Sequence, residues 1–433
     1  MAWLPLGLLL LSAGGAAVLL SPRCLALSER DRHSYGWRPL WQTSFDALSA
    51  ACGVGLLTCD LEQDYTELGR WTLLTVGLVG AWMYLAAARQ VWSGLVGKQP
   101  PGVLPGIGEV TAAFIGWQAV LVGLVLLLGA GQIVAGEGRH LAWNTVSAFA
   151  SLGWLRGERG AHWVFAAVGL LGALGWPVWL LRRHVLGWCI RPVLALAMAL
   201  LVAAGLITAF EVQRKALRAQ PMRDERLAGC TPAERFHRAL VQAAAAAGGG
   251  LQTENLEDRA VGEGTKFVLA GLVLAGGLGG ASGGGIKWPL ILCVIAGSVY
   301  GHRRSVETRD GGQLPTALAV VLATGGLWLV TALGLLLIEN WTGSAYRLPP
   351  TLADALLESA SAVGGAGLTS GLTSSLSAAS LSSGIRQPVD LYQYGMGWLM
   401  LAMLAGRVVP LLVLARAADG RSADWSHRLL PPL

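Results

Sequence analysis

Charged residues are scarce in this chain, and so are histidines and cysteines. Only 13% of its 433 residues are Asp, Glu, Lys or Arg, whereas a soluble domain carries roughly 25%. The six cysteines show no metal-ligand spacing, and the seven histidines lie in loops or at the ends of apolar segments. The shortage of charge excludes a soluble domain. The lack of a Ser/His or Asp/Asp pair within an apolar segment argues against an intramembrane enzyme, so we expect no catalysis and no cofactor.

Nucleic-acid binding is also not indicated. The net charge of +6 is distributed over the loops. No basic run with interleaved aromatic residues is present, and such a run is the usual footprint of a nucleic-acid surface. We therefore expect the lipid bilayer, and no nucleic acid, as a partner.

Apolar residues, by contrast, make up 54% of the chain, and there are 59 glycines and 18 tryptophans. Glycine lets transmembrane helices approach closely, and tryptophan favours the membrane interface. We interpret residues 3–21 as a retained first helix, because a signal peptide would carry a charged start and a cleavage site. The apolar segments predict eight spanning helices, at residues 3–21, 71–95, 111–135, 162–181, 189–210, 266–301, 315–338 and 391–415.

A shorter segment, Leu356–Thr373, lies between the last two of these spans. It is too short and too polar to cross a bilayer, and it breaks at Gly364–Gly367. A short helix followed by a glycine-rich loop is the layout of an ion-selective pore loop, in which backbone carbonyls replace the water around a cation. Glycine suits such a loop because it allows positive φ and carries no side chain.

Three further segments have the same character, at Ser49–Leu56, Ser147–Trp154 and the alanine run that ends at Leu251. The last filter-like glycines, Gly55, Gly153, Gly250 and Gly367, are 98, 97 and 117 residues apart. A recurring period of this kind indicates an internal repeat. We therefore predict short pore helices at 43–51 and 140–152, and a third that begins with the capping box Thr231–Glu234.

The predicted fold is an all-α membrane protein with four helix–pore loop–helix repeats around a central ion pore. It would contain eight transmembrane helices and four re-entrant pore loops. The repeats would occupy residues 1–96, 97–186, 187–305 and 306–433, the third with a glycine-interrupted second helix and the fourth with a short C-terminal tail.

The candidate ion-binding residues are the backbone carbonyls of the four loops. Close helix packing is the alternative role for such glycines, but it fits poorly in segments too short to span. The predicted filter residues are Cys52, Gly53, Val54, Gly55, Ala150, Ser151, Leu152, Gly153, Ala247, Gly248, Gly249, Gly250, Gly364, Gly365, Ala366 and Gly367.

Two basic residues lie in apolar segments. Lys287 follows the glycine run 276–285, and Arg407 lies inside the last span. A basic residue at membrane depth is costly and is functional by default, although Lys287 could instead reach the interface beside Trp288. Irregular backbone at this depth is tolerated only within protein or beside water, so the glycine run is expected to face the pore.

These motifs together resemble the Trk/Ktr/HKT superfamily of potassium transporters. The resemblance rests on the fourth loop, Ser361–Thr373, on Gly406–Pro410 in the last helix, on Gly283–Lys287 in the interrupted one, and on the first and second loops. It covers about residues 40 to 416. It implies K⁺ uptake across the cytoplasmic membrane by a multi-pass chain that imitates four channel subunits, and a glycine in each loop implies selectivity for K⁺.

The resemblance also implies a gate, an outer acid and two kinds of protein partner. The gate would consist of Arg407 and the glycine loop below the filter, with Lys287, and Asp60 would be an acid at the outer mouth. Relatives form homodimers and bind a cytosolic nucleotide-sensing subunit, which would be a separate chain because no Gly-x-Gly-x-x-Gly follows a strand pattern here. The expected gate residues of the loop are Gly279, Gly280, Ala281, Ser282 and Gly283.

The first and third loops depart from the pattern of the family. The third has Ala247–Gly248 where relatives commonly carry an arginine and a threonine. Two alternatives therefore stay open: a less selective Na⁺/K⁺ permease, and a non-conducting relative that acts as a membrane scaffold.

Overall fold

The protein is described by a computed structural model. The described residues are 3–21, 23–25, 38–58, 61–62, 64–96, 106–129, 137–154, 162–180, 183–217, 231–253, 256, 261–278, 281–304, 313–342, 351–373 and 390–419. Within these ranges the chain forms helices and no strand, apart from an isolated bridge between Leu25 and Tyr65.

Fourteen helices are present in the described part of the chain. In order they are α1 Trp3–Leu19, α2 Arg38–Ala51, α3 Glu67–Val96, α4 Ile107–Gly129, α5 Glu137–Phe149, α6 His162–Leu174, α7 Trp176–Trp179, α8 Arg183–Leu217, α9 Pro232–Gly248, α10 Glu263–Ala275, α11 Trp288–Arg304, α12 Gln313–Thr342, α13 Leu352–Gly364 and α14 Asp390–Asp419.

Five of these helices contain a stretch that is long and apolar enough to cross a membrane, counting only the described residues. The stretches are Glu67–Ser93, Ile107–Leu128, Ile190–Gln213, Leu314–Ile338 and Tyr394–Ala417. Three shorter apolar helices, Trp3–Leu19, His162–Leu174 and Trp288–Ser298, each lie within one of the remaining predicted spans. The second of them is shorter than predicted because Gly175, with φ of 75°, ends α6 just before a Trp-Pro pair.

The predicted interruption of the sixth span is confirmed. Helix α10 ends at Ala275, and α11 begins at Trp288. The residues just before α11 form hydrogen bonds with the end of α10. The Ile286 N–H donates to the Leu274 carbonyl at 2.9 Å, and the Lys287 N–H donates to the Ala275 carbonyl at 3.0 Å. These bonds satisfy backbone groups that have no water to bind at membrane depth.

The C-terminal halves of the short helices α2, α5, α9 and α13 lie inside the bundle. Nearly every residue of α13 is buried, as expected for a helix that is surrounded on all sides. Helix α4 is different, because it leaves Leu127 and Leu128 more than 70% exposed. The apolar stretches of α4, α8 and α12 are less than one third buried, so these three long helices lie on the outside of the bundle.

Capping boxes begin two of the short helices. Thr351 accepts a bond from the Asp354 N–H and returns one from its own N–H to the Asp354 carboxylate. The box predicted at Thr231 and Glu234 is confirmed, and its hydrogen bonds, first from the Thr231 N–H and then from the Thr231 hydroxyl, lower the pKa of Glu234. These caps satisfy N–H groups that the first turn leaves without helical partners.

A buried ion pair fixes α13 against α10. The Lys266 ammonium bonds the Asp354 carboxylate, and Lys266 has no exposed surface. We expect Lys266→Met to lower the free energy of unfolding by about 3–5 kcal/mol, because it leaves a buried carboxylate without its cation. Thermal unfolding of the purified protein in detergent measures this loss.

Two further variants test whether the loss of stability comes from the unpaired buried charge. Adding Asp354→Asn to Lys266→Met removes the uncompensated charge and should recover most of the stability. Arg416→Met removes an exposed cation from α14 and should change stability by less than about 0.5 kcal/mol. If Lys266→Met unfolded at the same temperature as the wild type, the buried ion pair would not stabilise the contact between α13 and α10.

Candidate functional site

The four short helices end at one place. A methyl group on Gly55 would overlap the Leu152 carbonyl oxygen, and one on Gly153 would lie 2.8 Å from the Gly250 carbonyl oxygen. A methyl group on Gly250 would overlap the Gly367 nitrogen. The first loop therefore contacts the second, the second contacts the third, and the third contacts the fourth.

The fourth loop completes this arrangement. A methyl group on Gly367 would lie 3.1 Å from the Leu152 oxygen and 3.3 Å from the Gly55 oxygen. Carbonyl oxygens from different loops are thus within a few ångströms of one another. The C-terminal ends of α2, α5, α9 and α13 also meet here, and each contributes a partial negative charge.

Buried polar side chains anchor three of the loops to their own helices. In the first, the Asp46 carboxylate accepts the Thr58 N–H at 2.9 Å and the Tyr65 hydroxyl at 2.8 Å. In the fourth, Glu358 accepts the N–H groups of Ser370 at 2.9 Å and Thr373 at 3.1 Å. These bonds satisfy N–H groups of the loop backbone inside the protein, so the anchors hold the loops in shape.

The third loop uses an amide as its anchor. Gln242 Oε1 accepts the Thr253 N–H at 2.9 Å and the Thr253 hydroxyl at 2.6 Å. Sequence reasoning missed Asp46, Gln242 and Glu358. A usable signal was present, since Asp46 and Glu358 each lie nine residues before a predicted filter glycine, inside a helix of small or apolar residues.

Arg407 lies directly beside the first loop. It is 2% exposed, its Nη2 donates to the Gly53 carbonyl at 2.7 Å, and its Nε donates to the Cys52 carbonyl. Its third bond runs from Nη1 to the Ser282 carbonyl in the interrupted segment, at 2.9 Å. One guanidinium therefore joins a predicted filter loop to the predicted gate loop.

Lys287 and Tyr84 lie next to this arginine. The Tyr84 ring centroid is 4.7 Å from the Arg407 guanidinium carbon and 5.8 Å from the Lys287 ammonium, which are cation–π distances. Lys287 also bonds the Gly283 carbonyl, and its φ of 80° is rare for a residue with a side chain. Tyr84 was not predicted, because nothing in α3 separates it from an ordinary aromatic residue.

Ser151 and Ser282 link the second loop to the same interrupted segment. Their hydroxyl oxygens are 3.0 Å apart, and the Ser282 hydroxyl lies 3.2 Å from the Phe149 carbonyl, to which it can donate. Ser151 has φ of 63°, close to the values of Gly53 and Gly365 in the neighbouring loops. Ser151 therefore has the left-handed backbone conformation that glycine has in the first and fourth loops.

The structure therefore brings together the predicted filter residues of all four loops and the described gate residues Ala281, Ser282, Gly283, Lys287 and Arg407. The predicted outer acid, Asp60, and the gate residues Gly279 and Gly280 lie outside the described residues. The roles of all these residues, the division into four repeats and the absence of a cofactor stay predictions.

A similar fold occurs among solved structures. No family model matches the chain, and no curated protein matches it. Among solved structures, it is similar to the crystal structure of the potassium transporter TrkH from Vibrio parahaemolyticus, with a TM-score of 0.60 and 16% identity, over 87% of this chain and 77% of that one. The chain has the fold of TrkH.

The TrkH fold confirms two predictions. The fold class is an all-α membrane protein with pore-loop repeats, and the resemblance to the Trk/Ktr/HKT superfamily holds at the level of the fold. Together with the five long apolar helices it makes the chain a multi-pass membrane protein.

Proposed function

We propose that this protein carries K⁺ into the cell across the cytoplasmic membrane, through a filter of backbone carbonyls. The observation that carries the proposal is the meeting of four loops, each at the C-terminal end of a short buried helix, around Gly55, Gly153, Gly250 and Gly367. Carbonyl rings can replace the hydration shell of a cation. The similarity to a solved potassium transporter favours K⁺ as that cation.

The driving force requires no second substrate. A membrane potential of 100 mV is worth about 2.3 kcal/mol for each charge that moves inward. A K⁺ ion that exchanges its water for carbonyl oxygens and passes the gate would follow this potential. No covalent step occurs, so the protein would act as a channel-like transporter and not as an enzyme.

The test is rescue of a bacterium that lacks its own K⁺-uptake systems. Expression of the protein should restore growth at low K⁺, and the purified protein in liposomes should carry K⁺ when a potential is applied. Membrane-inserted protein that neither rescues growth nor carries any cation would favour the non-conducting scaffold instead.

We propose that Arg407 and the segment around Ser282 form the gate. The guanidinium places a positive charge below the filter and bonds both the first loop and this segment. The gate is closed when these bonds are made, because a cation would have to pass a fixed positive charge. Opening requires the segment to move away from Arg407 and from Ser151.

A prediction for this gate concerns Ser151. We expect Ser151→Gly to raise K⁺ flux about fivefold, because one hydrogen bond worth about 1 kcal/mol no longer holds the gate segment. The variant should fold well, since a left-handed conformation that costs a serine roughly 1–2 kcal/mol suits glycine. Flux into liposomes at fixed protein density is the measurement.

Ser151→Ala should raise flux in the same way, because it also lacks the hydroxyl. Ser359→Ala is the matched control, since Ser359 is equally buried but bonds the Leu356 carbonyl of its own helix. Unchanged or lower flux in both Ser151 variants would show that the Ser151–Ser282 contact does not hold the gate.

The assembly is also a proposal. We expect a homodimer in the membrane and a separate cytosolic nucleotide-binding subunit that moves the gate. The mass of the purified protein in detergent and copurification of a cytosolic chain from its native cells test these two expectations separately.

A further inference from the structure

The first loop sets the reference for the length of a filter loop. After α2, the Val54 N–H donates to the Ser49 carbonyl at 2.8 Å, which closes the end of the helix. Four residues later, the Thr58 N–H donates to the anchor Asp46 at 2.9 Å, where the loop leaves the site. We name these the closing residue and the exit residue of a loop.

The fourth loop has the same length. Its closing residue, Ala366, donates to the Ser361 carbonyl at 3.1 Å. Its exit residue, Ser370, donates to the anchor Glu358 at 2.9 Å and again lies four residues later. In both loops the anchor precedes the acceptor of the closing bond by three residues, so the two loops can be compared position by position.

The third loop is one residue shorter. Its closing residue, Gly250, donates to the Ala245 carbonyl at 2.8 Å, and the anchor Gln242 again precedes that acceptor by three residues. Its exit residue, Thr253, comes only three residues after the closing residue. Two residues, Leu251 and Gln252, therefore occupy the part of the loop for which the first and fourth loops have three.

The anchor of this loop also differs in what it can donate. In the bonds described above Asp46 and Glu358 act as acceptors, whereas the Gln242 amide both accepts and donates. Its Nε2 donates to the Leu251 carbonyl at 3.4 Å, in a buried position. Gln242 lies on α9, so this bond joins the Leu251 carbonyl to the short helix of its own loop.

Counted from the closing residue, Leu251 takes the position that Gly55, Gly153 and Gly367 hold in the other loops. We propose that the short third loop and its Gln242 anchor make the ring of carbonyl oxygens at these four positions incomplete, so that Na⁺ passes along with K⁺. The inference rests on the proposed function, because it concerns the selectivity of the same filter. Discrimination depends on the number and field strength of the carbonyls around the ion. The Gly55 carbonyl also accepts a side-chain bond, from Trp154 Nε1 at 2.8 Å, but its loop has the full length, so the shortening of the third loop is what sets the Leu251 carbonyl apart.

The experiment measures the K⁺/Na⁺ permeability ratio from reversal potentials of the full chain in planar bilayers. The wild-type ratio should be below about ten. Gln242→Glu keeps the acceptor for Thr253 and removes the donor to Leu251, so it should raise the ratio severalfold. Insertion of one glycine between Gly250 and Leu251 restores the length of the loop and should raise it as well.

Gln213→Glu is the matched control, since it makes the same chemical change at an exposed position near the end of α8. It should leave the ratio unchanged. A wild-type ratio above about ten would overturn the inference while leaving the proposed function intact. An unchanged ratio in both folded third-loop variants would overturn it too, whereas the absence of any cation current in the wild type would overturn the proposed function itself.

Discussion

Replacing Arg407 by alanine is expected to raise K⁺ flux by at least about tenfold, which corresponds to about 1.4 kcal/mol in the barrier to passage. The expectation follows from two features. Arg407 is buried, so water does little to screen its charge, and it holds the first loop and the Ser282 segment together. Its removal abolishes both the positive barrier and the contact that keeps the segment in place.

Arg407→Lys separates these two contributions. Lysine retains the charge but cannot reproduce the planar fork that donates to three carbonyls. Flux that stays low in Arg407→Lys and rises in Arg407→Ala would assign the barrier to charge. Equal rises in both would assign it to the bonds.

The matched control is Arg416→Ala, which removes an exposed cation from the same helix. It should leave flux at the wild-type level. The measurement is K⁺ uptake into liposomes, normalised to the amount of folded protein. Wild-type flux in Arg407→Ala would contradict the proposed gate.

The short helices and glycine loops could be predicted from the sequence because their signals are local. A segment too short to span, bounded by longer apolar ones, indicates a re-entrant helix wherever it occurs. The capping box at Thr231 depends on four consecutive residues. The break at Gly175 was not predicted, although the Trp-Pro pair that follows it is a local signal. Signals of this kind do not depend on the rest of the fold.

The contacts of the site could not be predicted in the same way. Arg407 bonds carbonyls that are 354 and 355 residues away, and a carbonyl has no sequence signature. The basic character of the residue at membrane depth indicated a role, but its partners follow from the packing of α14 against the first loop. The register of the third loop was hidden for a related reason, because Gly250 looks like the other filter glycines until the closing bond shows its position.

Gly55→Ala is the second substitution for which we expect a large effect, a loss of at least about tenfold in K⁺ flux. Gly55 has φ of 80°, and an added methyl group would overlap the Leu152 carbonyl oxygen of the second loop. The obstacle is backbone and not the end of a flexible side chain, so the first and second loops would have to separate. Ions would then lose the oxygen spacing that makes dehydration favourable.

Gly116→Ala provides the matched control for this substitution. Gly116 lies inside α4, and apart from the backbone of its own helix no atom lies within 4 Å of the position that its methyl group would take. Alanine is better than glycine in a helix by about 1 kcal/mol, so this variant should carry K⁺ as well as the wild type and should unfold no earlier. If Gly55→Ala matched it in flux and in K⁺/Na⁺ ratio, the loop at Gly55 would not line the path of the ion, and the four loops would meet for a reason other than conduction.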